Sequence, residues 1–278
     1  MPGAPQDVVA FATRAPSIRN TQPWLWQADG PRLELRADRT RQLPDVDPAG
    51  RHLTISCGAA LHHASVRARA LGYAGEVAVL PDPDDPDHLA TLTLAPAEPD
   101  PRARAESELL ARRRTDRRRF TAWPLPDEPL AELAGAVEEP GAAAVPVRET
   151  TRRLFVELLV RQATRLERTH RPPSAGDPPE VRATDGLVVL TTTDDGPRDW
   201  LATGVLLCRL WTEAMARGLT VVPLHRVVEV PDTRTTLAES VVPGLGHPQL
   251  LLRLGWEEIE QHPAPSTLRR PVDEVLRR

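Results

Sequence analysis

The sequence predicts an α+β fold built from two tandem halves, each containing a central helix and a sheet. The first observation is a repeated order of elements, in which a helix, a strand, a Pro-Asp turn and a second strand occupy residues 57–94 and again residues 204–254. The second is the spacing of glycines, because Gly58 precedes Gly72 by the same 14 residues that separate Gly204 from Gly218. Such repetition indicates an internal duplication. Two unrelated units are the alternative, since helices followed by hairpins are common.

The first distinctive segment is a turn at residues 15–24, which read Ala-Pro-Ser-Ile-Arg-Asn-Thr-Gln-Pro-Trp. Its two prolines fix φ and remove two backbone donors, so we expect a rigid turn that presents Ser17, Asn20 and Gln22. These short polar side chains could bond the edge of a flat heteroaromatic ring. An ordinary loop that ends a helix is the alternative for any one of them alone.

The rest of the first half follows from hydrophobic spacing and turn residues. Small and apolar residues at helical spacing predict a helix over residues 57–73, closed by Gly72. Strands are expected at residues 76–82 and 89–94. The proline-rich and acidic residues 95–104 are predicted to be a linker, and a further helix is expected from about Ala105.

In the second half, the helix expected from about Ala105 leads into a run of arginines at residues 112–119, in which Asp116 is the single acid. Clustered guanidinium groups repel one another unless an anion lies between them, and the hydroxyl of Thr115 would complete a phosphate site. A solvated surface is an equally weighted alternative for this segment. The sequence then predicts a proline-rich loop at residues 171–182, a helix at 204–219, and strands at 227–232 and 249–254. The C-terminal segment is expected to pack through Leu268, Val272, Val275 and Leu276.

Composition excludes several classes of protein. The net charge is −4, which gives no reason to expect nucleic acid as a partner. The chain has no apolar run of the roughly 20 residues that a membrane-spanning helix needs, nor a signal-peptide pattern, so we expect a cytoplasmic protein that does not bind membranes. Cys57 and Cys208 lie far apart in apolar stretches and are expected to be buried free thiols.

Together these motifs resemble the flavin-dependent nitroreductase superfamily, and in particular the Acg-type proteins of actinobacteria. The resemblance rests on the turn at residues 15–24, on Arg113 to Arg118, and on the C-terminal Arg-Arg-Pro-Val-Asp-Glu-Val at residues 269–275. It extends to residues 199–204 and 246–249. It implies a nitroreductase-like α+β fold, in which the two halves form an intrachain pseudo-dimer around antiparallel-rich sheets.

The placement of the motifs implies one flavin site rather than two. Ordinary nitroreductases carry a phosphate motif and the proline-framed turn in one chain and are homodimers, whereas here residues 1–100 hold the turn and residues 105–278 hold the arginine motif. We therefore expect one FMN at the seam of the two halves. The resemblance assigns to it the following residues: Ser17, Asn20, Gln22, Arg113, Thr115, Arg117, Leu224, His225, Arg226, and one or both of Arg269 and Arg270.

Within that set, Arg113, Thr115 and Arg117 would contact the phosphate and ribityl chain, and Arg269 or Arg270 would close on the phosphate. Ser17, Asn20 and Gln22 would reach the ring and ribityl. A backbone N–H near His225 or Arg226 would bond the flavin N5, with no side chain acting as a catalytic acid or nucleophile.

The implied activity is that of an FMN-dependent oxidoreductase that passes hydride from a reductant to a small conjugated acceptor. NAD(P)H is the candidate reductant, and we expect a monomer or a weak homodimer. The stretch from about His170 to Asp185 is shorter than the flavin-covering segment usual in Acg-type proteins, which favours catalysis. A protein that sequesters FMN or responds to stress with little turnover is the alternative.

Overall fold

The computed structural model describes residues 4–137, 139, 141–168, 181–182, 184–258 and 267–277. Within them the chain forms two compact units. The first comprises Met1–Arg113, Gly196–Cys208 and Ser266–Arg278, and the second comprises Arg114–Asp195 and Arg209–Pro265. These compact units do not test the predicted duplication, so the two halves at residues 1–100 and 105–278 stay a prediction. Most of the proline-rich segment expected to be a short lid lies outside the described residues.

The first unit is an α+β layer of one sheet and its helices. Its elements are α1 (Ala4–Ala12), β1 (Trp24–Asp29), β2 (Arg32–Ala37), α2 (Arg51–Ala70), β3 (Tyr73–Val79), β4 (His88–Pro96) and α3 (Pro101–Arg112), with the C-terminal segment described below. The buried helix α2 packs against the sheet, where Trp24, Trp26 and Leu92 form part of the core.

The second unit repeats this plan with insertions. Its elements are α4 (Asp127–Gly135), β5 (Ala142–Pro146), α5 (Thr150–Arg168), β6 (Gly186–Thr192), the end of α6 (Pro197–Ala216), β7 (Thr220–Pro223), α7 (Arg226–Glu229), α8 (Pro231–Thr236) and β8 (His247–Gly255). A π-helical turn at Leu237–Val241 follows α8. Every residue of β6 is buried, including the two threonines that follow its apolar residues Leu187–Leu190.

The chain returns to the first sheet at its C-terminus, through α9 (Val272–Val275) and β9 (Leu276–Arg277). β9 pairs in parallel with β1, and Val275 is fully buried in the first core. Val272 and Leu276 pack against the same core, as the sequence predicted. The expectation for Leu268 was wrong, because its side chain is 88% exposed and precedes the packed part of the segment.

The two sheets have the same strand order. The first runs β3-β4-β2-β1-β9, and the second, read from its opposite edge, runs β7-β8-β6-β5, with antiparallel pairing throughout apart from the added β9. The register shifts once within the β2–β4 pair, after Leu35, and once within the β6–β8 pair, after Leu190. A common pairing order with an irregularity in the same strand pair is the pattern expected of a duplicated unit.

A second sign of duplication lies within the first unit, where α2 crosses the first turns of α6. A Cβ built on Gly58 would lie 2.1 Å from the carbonyl oxygen of Leu201, and one built on Gly204 would lie 2.0 Å from that of Ile55. Gly204 and Leu201 each follow Gly58 and Ile55 by the same number of residues, so the contact is reciprocal. Such a reciprocal contact is what a two-fold relation between duplicated segments would produce. Glycine at both positions lets the backbones touch.

Most predicted elements are confirmed with shifted ends. The helices at 57–73 and 204–219 begin earlier, at Arg51 and Pro197, and the strand expected at 76–82 lies at Tyr73–Val79. The predicted linker at 95–104 is shorter, because α3 already starts at Pro101. The Asp100 side chain caps α3 by accepting a hydrogen bond of 2.8 Å from the Arg102 N–H.

One predicted strand, at residues 227–232, was wrong. Those residues form α7 and the start of α8, and the strand that follows α6 is instead Thr220–Pro223. Val227 and Val228 are adjacent, yet both are buried in the same core, which a strand cannot achieve because its neighbouring side chains point to opposite faces. Pro231 opens α8, where its missing N–H costs nothing.

Candidate functional site

The turn at residues 15–24 has a strained backbone that side-chain hydrogen bonds hold in place. Arg19, Asn20 and Gln22 all have positive φ, at 45°, 59° and 49°, in the left-handed region that non-glycine residues avoid. The Ser17 hydroxyl accepts a 3.0 Å hydrogen bond from the Gln22 N–H, and Ser56 of α2 accepts one of 3.1 Å from the Ile18 N–H. Backbone strain that the surroundings enforce is concentrated at functional sites. A turn is therefore present where the sequence predicted one, and its rigidity stays a prediction.

The amide side chains of the turn contact the C-terminal segment. Asn20 Nδ2 donates to the Leu268 carbonyl at 3.1 Å, and its Oδ1 accepts from Arg269 at 3.0 Å. Gln22 Nε2 donates to the same carbonyl at 3.3 Å, and its Oε1 accepts from the Arg270 N–H at 2.8 Å. The structure thus brings together four of the residues predicted from the sequence: Asn20, Gln22, Arg269 and Arg270.

The two consecutive arginines of this segment have different surroundings. The Arg270 guanidinium bonds the Asp38 carboxylate at 3.2 Å and the Gln22 carbonyl at 3.1 Å, and its side chain is 12% exposed. These partners make Arg270 an anchor of the segment. Asp38, at the end of β2, is a contributor for which the sequence offered no signal.

Arg269 lies instead beside Arg113, at the end of α3. Arg269 and Arg113 each donate to the carbonyl oxygen of Arg14, both at 3.4 Å. Arg113 is buried, with 4% of its surface exposed. Two guanidinium groups that converge on one neutral oxygen carry two positive charges, an arrangement that an anion would stabilise. Carboxylate and phosphate are the anions whose geometry matches such forks.

His63 of α2 lies behind this pair of arginines and is fully buried. Its Nδ1 donates to the Ala59 carbonyl at 2.9 Å, which leaves Nε2 as the unprotonated nitrogen. Burial lowers the pKa of His63 well below its ordinary value, and the charges of His62 and Arg113 lower it further. A neutral imidazole adds no third positive charge to the cluster. The sequence reasoning did not select His63, although a paired His-His on an apolar helix was visible.

The remaining predicted residues lie in the second unit, where another pair of guanidinium groups occurs. Desolvation lowers the pKa of Arg117, and the positive charge of Arg226 lowers it further. Thr115 is half-buried two residues before Arg117.

Not all of the arginine run serves such a cluster. Arg118 donates to the Asp116 carboxylate at 2.9 Å through Nε, and this hydrogen bond lowers the pKa of Asp116. The guanidinium of Arg253 in β8 stacks 4.0 Å from the ring centroid of Phe120 and donates to the Arg118 carbonyl at 2.9 Å. Through these contacts the arginine run packs against the second sheet. Neither of the two interpretations of the run, a phosphate site or a solvated surface, predicted this structural role.

The segment between β7 and α7 supplies backbone donors. The Leu224 N–H is used within the sheet, because it donates to the Leu251 carbonyl at 2.7 Å. His225 begins α7, and its Nε2 lies 3.8 Å from the Glu229 carboxylate. Of the three residues predicted here, His225 and Arg226 lie at the start of α7.

Two negative findings concern the described residues only. They contain no group of three or more histidine, cysteine or acidic side chains that could hold a metal ion. They also contain no helix with the length and apolar character needed to cross a membrane.

Comparison with known proteins finds relatives across almost the whole chain. A protein of Mycobacterium tuberculosis H37Rv that is provisionally named an NAD(P)H nitroreductase is 33% identical over 309 residues, covering 97% of this chain and 90% of the relative. The Acg protein of the same strain, also provisionally named an NAD(P)H nitroreductase, is 30% identical over 319 residues, covering 98% and 94%. No family model matches the chain.

Solved structures with a similar fold are more distant in sequence. A nitroreductase with bound FMN from Bacteroides fragilis is 14% identical with a TM-score of 0.46, covering 59% of this chain and 94% of the other. The NADPH:FMN oxidoreductase of Vibrio harveyi, solved with NAD+, is 14% identical with a TM-score of 0.41, covering 58% and 72%.

Proposed function

Because the chain belongs to the nitroreductase family of these mycobacterial relatives, we propose that it is an FMN-dependent oxidoreductase. It would pass hydride from a nicotinamide reductant to a small conjugated acceptor such as a nitroaromatic compound or a quinone. The observation that carries the proposal is the convergence of Arg113 and Arg269 on the Arg14 carbonyl, beside a strained polar turn.

The residues present fit FMN by the chemistry of their donors. Arg113 and Arg269 would hold its phosphate, since paired guanidinium forks match a phosphate dianion. The turn that carries Ser17, Asn20 and Gln22 borders these arginines. The sequence motif adds Thr115 and Arg117 as proposed contacts of the same cofactor, and the backbone N–H of His225 or Arg226 is the proposed donor to its ring.

When bound, FMN supplies the hydride chemistry, and the protein supplies binding, orientation and electrostatics. The arginines would neutralise the phosphate. The buried His63 keeps the cluster at two positive charges in the first unit, because its imidazole stays neutral. The N–H groups at the start of α7 would donate to a ring acceptor, and the reaction needs no side-chain nucleophile.

The proposal includes one flavin per chain. The common strand order of the two sheets and the reciprocal contact of Gly58 and Gly204 support a fused pseudo-dimer. The turn motif occurs only in the first half of the sequence and the Arg-Arg-Thr-Asp-Arg motif only in the second, which supports a single complete set of ligands. A flavin-to-chain ratio near one after desalting is the expected result. A ratio near two would contradict this part of the proposal.

The binding assignment is tested by removing single guanidinium groups. Arg269→Ala and Arg117→Ala should each weaken FMN binding by about 1.5–3 kcal/mol, the range for a hydrogen bond to a charged group. Arg104→Ala, at an exposed position of α3, is the control and should leave FMN binding unchanged. Wild-type affinity in both Arg269→Ala and Arg117→Ala would refute the phosphate assignment.

Activity is tested separately from binding. Purified holoprotein should oxidise NADH or NADPH when a nitroaromatic compound or quinone is present. Tight FMN binding without reduction by either nucleotide would refute the oxidoreductase and favour the alternative, a protein that sequesters FMN.

A further inference from the structure

The amides of Asn20 and Gln22 hold the C-terminal segment by both of their ends. Each donates through its NH2 group to the Leu268 carbonyl and accepts through its oxygen, from the Arg269 guanidinium and the Arg270 N–H respectively. We refer to this set of contacts, made by Asn20 and Gln22 with Leu268, Arg269 and Arg270, as the latch. It joins residues separated by almost 250 positions in the chain.

The latch sets the direction of the two arginines. Gln22 fixes the Arg270 backbone, and the Arg270 side chain turns to Asp38 and to the carbonyls of Gln22 and Trp24. Asn20 receives the Arg269 guanidinium, whose other terminal nitrogen donates to the Arg14 carbonyl that Arg113 also bonds. Asn20 is therefore one of the groups that hold Arg269 beside Arg113, together with the Thr267 and Leu268 oxygens that accept from the same Arg269 nitrogen.

The strained backbone of the turn belongs to the same device. Asn20 and Gln22 have positive φ while Thr21 between them is right-handed, and with this backbone both amides reach one carbonyl oxygen. Left-handed residues persist when their surroundings enforce them. The hydrogen bonds of the latch provide that enforcement.

We propose that Asn20 and Gln22 are positioning residues, which act on the cofactor through Arg269 and so determine affinity for its phosphate rather than for its ring. This inference rests on the proposed FMN function. It differs from a direct ring contact in a measurable way, because riboflavin has the ring and ribityl chain of FMN and lacks the phosphate.

The test uses the full chain and compares the two flavins. Asn20→Gly and Gln22→Gly remove the amides while keeping a residue that tolerates positive φ. Each should weaken FMN binding about tenfold, equivalent to about 1.4 kcal/mol, and leave riboflavin binding and the visible spectrum of bound FMN unchanged. Gln6→Ala, at an exposed position of α1, is the matched control. An equal loss of affinity for riboflavin would overturn the proposal.

A double-mutant cycle gives an independent answer. If Asn20 acts through Arg269, the Asn20→Gly/Arg269→Ala protein should bind FMN no more weakly than Arg269→Ala alone. Losses that multiply in the double variant would show that Asn20 contacts the flavin by itself, and would overturn the proposal even where riboflavin binds too weakly to measure.

A third measurement does not depend on flavin. In the protein without FMN, the Arg270 amide should exchange with solvent at least tenfold faster in Gln22→Gly than in the wild type and Gln6→Ala, because Gln22 Oε1 is its acceptor. Unchanged exchange together with normal FMN binding would refute the latch alone. A wild-type chain that binds no FMN would refute the proposed function and, with it, the phosphate role of the latch.

Discussion

Adding one methyl group at Gly204 should destabilise the protein more than a typical surface substitution. The Cβ of Gly204→Ala would lie 2.0 Å from the Ile55 carbonyl oxygen and 2.6 Å from the Ala59 nitrogen, whereas real Cβ contacts essentially never fall below 3.0 Å. The two helices must therefore separate locally by about 1 Å. No rotamer change can relieve the clash, since the atoms that obstruct the methyl group belong to the backbone.

The magnitude follows from two opposing terms. Overpacking of a buried site costs typically about 1–3 kcal/mol and occasionally more, and a clash with backbone belongs at the upper end of that range. Alanine gains up to about 1 kcal/mol over glycine in helix propensity. The expected net loss is about 2–3 kcal/mol, or roughly 3–5 °C in the midpoint of thermal unfolding for a chain of this size.

Urea and thermal unfolding of the purified variants provide the assay. Gly135→Ala is the control, because a Cβ at Gly135 meets nothing within 4 Å and should leave stability unchanged or raise it. Gly58→Ala should cost as much as Gly204→Ala, since its Cβ would meet the Leu201 carbonyl at 2.1 Å. The double variant should lose less than the sum, because one separation of the helices accommodates both methyl groups. Wild-type stability in Gly204→Ala would refute the close crossing and the two-fold contact inferred from it.

Three further predictions concern buried titratable groups. Burial raises the pKa of Cys208 to about 12 and raises that of Cys57 as well. Neither thiol should therefore react with a thiol reagent until the protein is denatured. Fast labelling of the native protein would contradict their burial. The folded-state pKa of His63 lies well below 6.5, so as the pH falls through 6.5 the unfolded chain binds a proton that the folded protein does not. The free energy of unfolding should therefore decline below about pH 6.5, by at most about 1.4 kcal/mol per pH unit. His63→Gln should reduce this slope, measured by urea unfolding at several pH values. Arg253→Met should lower the free energy of unfolding by about 3–5 kcal/mol, because the carboxylate of Asp185, 1% exposed, loses its ion pair with Arg253. Adding Asp185→Asn should restore part of this loss. Equal stability of the single and double variants would show that the pair is not coupled.

Local patterns predicted the elements well where one physical cause dominates. The spacing of small and apolar residues predicted α2 and α6, and apolar runs predicted the strands that became β4 and β8. The strand expected at residues 227–232 failed because a short apolar run fits a buried helix as well as a strand. Tertiary packing decided between them, when Val227 and Val228 joined one core.

The candidate site shows the same division. The rigid turn could be predicted because two prolines and a string of small polar residues restrict the backbone locally. The roles of Arg269 and Arg270 could not be separated, because they are chemically identical neighbours. Their difference comes from Asp38 and Arg14, which are more than 200 residues away in sequence.

By itself, the sequence determined which groups are available: the proline-framed polar turn, the arginine clusters, the similar order of elements in its two parts and the family to which they belong. The tertiary structure decided how those groups are used, with Arg118 bonded to Asp116, Arg270 to Asp38, and Arg269 placed beside Arg113. The physical reason is that backbone preferences depend on neighbouring residues, whereas the partner of a charged side chain depends on which distant segments the fold brings within a few ångströms of it.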